Sequence, residues 1–130
     1  MANPNIVAVT TIYGTTTYLT PSGTSAVVLL NNTASSNKVF KINQIVAANV
    51  TSTAANTTVS IYSNGAQSQG SAPSSGTAYP IASTISVPGN SSLVVADKTT
   101  AIYLMEGQSI TVTSGTGSAI AYTISYEDIS

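Results

Sequence analysis

From Ile120 to Tyr126 the chain alternates, with Ile120, Tyr122, Ile124 and Tyr126 on one parity and Ala121, Thr123 and Ser125 on the other. A period of two sends successive side chains to opposite faces, so this stretch is predicted to be a strand with one face on a core. The pattern recurs along the chain. No window carries a sustained i, i+3, i+4 apolar stripe flanked by charge, and β-branched residues stand where helix formers would be needed. Short alternating runs between turn residues predict an all-β sandwich or barrel.

Residues 6–13 and 15–19 are predicted strands broken at Gly14 and stopped by Thr20-Pro21-Ser22-Gly23. There Pro fixes φ early in the turn and Gly accepts a positive φ later. The continuous apolar run Ala26-Val27-Val28-Leu29-Leu30 predicts a strand covered on both faces, by a second sheet or a neighbouring subunit. Residues 38–50 form the longest candidate strand. Phe40, Ile42, Val46, Ala48 and Val50 are expected to face the core, with Lys41, Asn43 and Asn49 pointing away. Its length exceeds the usual ~5–6 residues, so a bulge or bend is expected near Gln44. Residues 57–63 follow with Val59 and Ile61 inward, closing at Asn64-Gly65, the strongest hairpin-turn signal in the chain.

Residues 66–77, rich in Gly, Ser and Gln, read as one long surface loop and not as a domain boundary. Further strands are expected over residues 81–87, 93–95, 101–105 and 109–114. Pro88-Gly89-Asn90, Asp97-Lys98, Glu106-Gly107-Gln108 and Gly115-Thr116-Gly117 punctuate them. The expectation is one domain over residues 1–130, a jelly-roll-like β-sandwich of about eight to ten short antiparallel strands.

Residues able to do chemistry are scarce. The 130 residues include no His, Cys, Trp or Arg, and the charged side chains are Lys38, Lys41, Lys98, Asp97, Glu106, Glu127 and Asp128. Without His a Ser-His-Asp triad is impossible. Gly115-Thr116-Gly117 lacks the Lys-Ser/Thr and the helix of a phosphate loop and reads as a hairpin. Glu127-Asp128 is the only adjacent acidic pair, and Glu106 could approach it across a sheet, as glycoside hydrolysis or calcium binding would require. The plainer reading is a solubilising C-terminal tail and a turn carboxylate. The chain is therefore read as a non-enzyme, with no catalytic, cofactor-binding or metal-binding residues and no cofactor.

Three lysines and a net charge of −1 give no means of neutralising a run of phosphates, so nucleic acid is not an expected partner. No stretch approaches the ~20 apolar residues of a membrane-spanning helix, and no membrane partner is expected. The first residues lack the basic and apolar regions of a signal peptide. The sequons beginning at Asn31, Asn49, Asn56 and Asn90 therefore read as by-products of an Asn/Ser/Thr-rich composition. An apolar fraction of 42% is that of a folded protein, not of a disordered one. Soluble sheet proteins use charge to keep their edges apart, so a sheet-rich chain with this little charge fits an assembly, the alternative being a small secreted domain. Seven tyrosines against one Phe suit contact or carbohydrate surfaces or a simple lining of the sandwich, although the lack of Trp weakens a sugar-stacking platform.

Three segments carry a resemblance. They are Ala2-Asn3-Pro4-Asn5-Ile6-Val7 leading to Thr16-Thr17-Tyr18-Leu19-Thr20-Pro21, then Lys38-Val39-Phe40-Lys41-Ile42-Asn43 through Val59-Ser60-Ile61-Tyr62, and Ile102-Tyr103-Leu104 with Glu106-Gly107-Gln108-Ser109-Ile110-Thr111-Val112, closing on Ser125-Tyr126-Glu127-Asp128-Ile129. Nearly end to end, this pattern resembles small virion structural proteins of tailed bacteriophages, cyanophages in particular, of the capsid-decoration kind. The resemblance implies a β-sandwich subunit displayed many times on a particle, and it carries over no site residues. The expectation is a non-enzymatic capsid decoration (cement) protein that bridges and stabilises capsid subunits. Its partners would be the major capsid protein or other virion proteins and further copies of itself, with a trimer one option. It would be assembled in the host cytoplasm and reside in the virion. A neck, tail or fibre component is the alternative within that class, and a carbohydrate-binding adhesin module the alternative outside it.

Overall fold

The structure, a computed structural model, describes Pro4, Asn5 and residues 7–130. Its strands are β1 (Ile12–Leu19), β2 (Val27–Asn32), β3 (Val39–Asn49), β4 (Ala55–Tyr62), β5 (Ala78–Val87), β6 (Ser92–Ala96), β7 (Ile102–Leu104), β8 (Gln108–Ser114) and β9 (Ile120–Ile129). A short 3-10 turn, Lys98–Thr100, lies between β6 and β7. The chain is all-β, in two antiparallel sheets. One sheet has the order β1-β9-β3-β6, with β7 also on β3; the other has the order β2-β8-β4-β5. Because β9 pairs with β3 along its whole length, β6 and β7 share the opposite edge of β3 as one strand interrupted by residues 97–101.

The core lies between the sheets. Phe40, Ile42, Ile45, Leu104, Ile120, Tyr122 and Ile124 from the first sheet meet Leu29, Leu30, Val59, Val87, Ile110 and Val112 from the second. In β9 the alternation from Ile120 to Tyr126 holds as the sequence implies, with Ile120, Tyr122 and Ile124 fully buried. Tyr126 stacks at a tilt on Phe40, with ring centroids 5.0 Å apart. One polar contact crosses the core. The Tyr122 hydroxyl donates to the Thr113 carbonyl (2.9 Å) and is bonded to the Thr57 hydroxyl.

The expected bulge in β3 is present, and its consequence corrects the inward set. Register against β9 shifts between Ile42 and Gln44, so Asn43 is the extra residue. One added residue exchanges the faces of everything beyond it. Ile45, Ala47 and Asn49 therefore join Phe40 and Ile42 on the core side, while Val46 and Ala48 are half-buried and Val50 is exposed. Asn49 tolerates burial because all its polar capacity is used. Its Nδ2 donates to the carbonyls of Thr53 (2.8 Å) and Val87 (3.0 Å), and its Oδ1 accepts from the N–H and the hydroxyl of Thr51. Asn32 does similar work at the other end of the sandwich, bonding the carbonyls of Lys38 (2.9 Å) and Leu104 (3.1 Å).

Three further expectations change. β1 runs through Gly14 unbroken, with Gly14 opposite Glu127, and no strand precedes Ile12 among the described residues; Ile6 lies outside them. Asn64-Gly65 does not form a hairpin turn. It opens the long connection from β4 to β5, and Gly65 is needed for close approach, since a Cβ there would sit 2.3 Å from the Asn32 carbonyl oxygen and 2.6 Å from that of Gln108. That connection is tied down at several points: Gly76 N–H donates to the Tyr62 hydroxyl (3.0 Å), Asn64 Nδ2 to the Ser74 carbonyl (2.9 Å), and Ser63 N–H to the Thr77 carbonyl (3.0 Å). Finally, Glu127 and Asp128 are not a tail. Both stand in β9, paired across to β1 and β3.

Candidate functional site

Folding sorts the charged residues. The second sheet, β2-β8-β4-β5, contains no Lys, Asp or Glu. Lys38, Lys41, Glu106, Glu127 and Asp128 gather at the end of the sandwich where β3 begins and β9 finishes. Asp97 and Lys98 sit on the excursion between β6 and β7. The opposite end, built from residues 20–26, 50–54, 88–91 and 115–119, carries no charge at all. Its loops are locked together by backbone bonds. Ser118 N–H donates to the Pro21 carbonyl (2.8 Å), Val50 N–H to Ala119 (2.9 Å), Asn49 N–H to Ser91 (2.8 Å) and Asn90 N–H to Thr51 (2.8 Å).

At the charged end the side chains engage one another. Lys38 Nζ lies 3.1 Å from Asp128 Oδ2, and Lys41 Nζ lies 3.8 Å from Glu127 Oε2, which also accepts from Asn43 Nδ2 (3.2 Å). Glu106 Oε1 accepts the Asn37 N–H at 2.6 Å. As neighbours on one strand, Glu127 and Asp128 point to opposite faces, which prevents them from acting as a convergent pair. Among the described residues no group of three acidic side chains is placed to hold a metal.

One motif escapes the sequence reasoning. Ser35-Ser36-Asn37-Lys38 has the Ser-x-x-Lys spacing found in serine–lysine hydrolases. Here it lies in the loop before β3, with Ser35 at φ 62°, and the Lys38 ammonium is engaged with Asp128. No helical turn brings the serine and lysine together.

A groove of about 550 Å³ opens on the outer side of the first sheet, lined by Asn43, Gln44, Asp97, Lys98, Thr99 and Ser125. Two irregularities create it: the Asn43 bulge, and the outward excursion of residues 97–101 facing that bulge. The excursion is held by Asp97, whose carboxylate accepts from the Thr99 hydroxyl and from the Thr99 N–H (2.9 Å), bonds that lower its pKa below the ordinary carboxylate value. Thr100 completes the cap by accepting the Asp97 N–H (3.2 Å). The Ser125 hydroxyl is bonded to that of Thr16 (3.0 Å). Amides and hydroxyls dominate this groove, and its one carboxylate, Asp97, is taken up by the cap it forms with Thr99.

The tyrosines divide. Tyr62 and Tyr122 are buried and Tyr126 partly so, whereas Tyr13, Tyr18, Tyr79 and Tyr103 are exposed. Tyr18 is the most exposed of them at 76% and stands on the outer face of the first sheet, opposite Thr123 in β9. With Ile12 and Val94, each 53% exposed, it places large apolar groups on a face that is otherwise hydroxyl-rich. Comparison of the chain with protein-family models, curated proteins and solved structures returned no match.

Proposed function

We propose that the chain is a non-enzymatic virion structural protein of a tailed bacteriophage, a capsid decoration subunit that bridges neighbouring shell proteins. The observation that carries this reading is the partition of charge. A whole sheet and one end of the sandwich are free of Lys, Asp and Glu, and the loops of that end are fixed by backbone bonds. Docking such a surface strips no charge of its water, a step that costs several kcal/mol per ion when it is not compensated. A pre-ordered surface also loses little conformational freedom on binding. Tyr79, exposed on β5 of that sheet, supplies contact area of a type enriched at protein interfaces.

We further read the sandwich as a jelly roll. Counting β6 and β7 as one broken strand gives four strands per sheet, and early and late strands are interleaved within each. That fold would suit a shell-bound subunit, though fold alone assigns no function.

Quantitative mass spectrometry of purified particles tests the reading. Hundreds of copies per particle are expected for a decoration subunit. A dozen or so would move it to the neck, tail or fibres, and its absence from particles would refute the reading. The groove at Asn43 and Ser125 favours a second reading, a carbohydrate-binding adhesin module, because its amides and hydroxyls match a neutral, polyhydroxylated ligand. Selective binding on a glycan array, lost on Asn43→Ala, would support it.

A further inference from the structure

The four sheet edges are not treated alike. An open edge offers unpaired N–H and C=O groups, and proteins blunt it with proline, charge, bulges, cover or brevity. β5 has Pro80, two breaks of register against β4, and Thr84 at φ 51°. β2 is covered by the long β4–β5 connection: Val28 N–H donates to the Ser71 carbonyl (2.9 Å), and the Val28 carbonyl accepts the Gly70 N–H (2.8 Å). β6 and β7 are short and separated. β1 has none of these devices along Ile12–Thr16, and among the described residues only Gln69 reaches its far end, at the Thr17 hydroxyl and the Tyr18 carbonyl. Its eight residues run in unbroken register with β9 and include no Lys, Asp, Glu or Pro.

The direction of each backbone group on β1 follows from its neighbour. Thr11 and Ser130 exchange N–H to carbonyl bonds of 3.0 Å each, so Thr11 faces β9. Antiparallel alternation then turns the backbone groups of Tyr13, Thr15 and Thr17 toward β9 and those of Ile12, Gly14, Thr16 and Tyr18 outward. Among the described residues, the one partner of these outward groups is Gln69 Nε2, 3.2 Å from the Tyr18 carbonyl.

We propose that this edge pairs with the same edge of a second copy of the chain, antiparallel, across a two-fold axis at Thr15. An outward residue must meet an outward residue, which places the centre of pairing on a residue, and centres at Gly14, Thr15 or Thr16 engage three or more of the four outward residues. Centring on Thr15 sets Ile12 against Tyr18 of the second copy and Gly14 against Thr16. The two large exposed side chains of the strand's outer face are then matched as an aromatic–β-branched pair. Centring on Gly14 sets Ile12 against Thr16, and centring on Thr16 sets Gly14 against Tyr18; both leave Ile12 and Tyr18 unmatched. The chosen register adds about eight backbone hydrogen bonds, displaces Gln69 from the Tyr18 carbonyl, and joins the two first sheets into one. A contact of this kind closes as a dimer. It rests on the edge geometry and not on the virion reading, and the purified chain tests it without any particle.

The chain has no cysteine, so single cysteines report register cleanly. Thr15→Cys meets its own copy in a non-hydrogen-bonded pair with Cα atoms about 4.5 Å apart, within reach of a disulfide. Mild oxidation is expected to cross-link Thr15→Cys, to leave Thr17→Cys uncross-linked, and to cross-link the combined Tyr13→Cys/Thr17→Cys protein. Sedimentation of the unmodified chain is expected to give twice its 13.1 kDa. Thr16→Pro, which removes one outward N–H at a position where an edge tolerates proline, is expected to return it to a folded monomer. A wild-type protein that stays monomeric or forms trimers, equal cross-linking at 15 and 17, or a dimer that survives Thr16→Pro would each overturn the proposal. The cysteine series in the otherwise unmodified chain decides it even if Thr16→Pro does not fold.

Discussion

The contact between Tyr122 and Thr57 ties the two sheets through the middle of the core, and Tyr122→Phe isolates its worth. Tyr122 has one hydroxyl proton, given to the Thr113 carbonyl, so the Thr57 hydroxyl is the donor in the bond between them. Both residues are fully buried. Phe keeps the ring and opens no large cavity, which leaves two losses. One is a net hydrogen bond of about 1 kcal/mol; the other is a buried, neutral Thr57 hydroxyl without its partner, about 1–2 kcal/mol. The expected destabilisation is about 2–3 kcal/mol. At about 4 °C per kcal/mol for a chain of this length, the melting temperature falls by about 8–12 °C. Thr57→Val alone leaves the bond to Thr113 and costs about 1 kcal/mol. The double variant no longer strands the Thr57 hydroxyl, so it costs about 1–2 kcal/mol less than the sum of the singles. Urea titration with an unchanged slope reads all three. A Tyr122→Phe cost below about 0.5 kcal/mol, or strict additivity, would refute the assigned role of this contact.

Other outcomes follow from single features. Gly65→Ala forces a Cβ onto the carbonyl oxygens of Asn32 and Gln108 and is expected to cost about 2–4 kcal/mol by urea titration, while Gly14→Ala, which meets open space, stays within about 1 kcal/mol of the parent. Burial raises the Tyr122 pKa, with the Thr57 bond partly offsetting it, and burial followed by the Asp128 charge raises that of Tyr126. The unfolded chain loses these protons near pH 10 while the folded chain keeps them. Stability from these groups is therefore intact below about pH 10 and falls above it, less steeply in Tyr122→Phe, as denaturation across pH 8–12 measures. Retention on the particle through uncharged surfaces is expected to survive ~1 M salt, where screening acts beyond about 3 Å; release by salt would contradict docking through those surfaces.

The sequence was most legible where local pattern and burial agree. The strict alternation of β9, most strand positions and the bulge near Gln44 follow from periodicity and length. Which face residues beyond the bulge occupy was not legible. Ile45-Val46-Ala47-Ala48-Asn49-Val50 offers apolar groups on both parities, and the polar Asn49 marks the core side because four bonds satisfy it. Gly65 looked like a turn glycine, since a residue chosen for close backbone approach has the same letter as one chosen for its φ. The segregation of charge was invisible for a different reason. It depends on β3, β9 and the β7–β8 turn meeting at one end, a pairing set by the whole fold. The free β1 edge was likewise legible only after the other three edges were seen to be guarded.

A density map of an intact particle, detailed enough to trace strands, decides whether the chain docks through its uncharged surfaces. The subunit is expected on the particle, with the charge-free end or the second sheet pressed against neighbouring proteins and the Lys38–Asp128 end toward solvent. A subunit seated through its charged end, or a particle with no density for it, would refute the proposed docking.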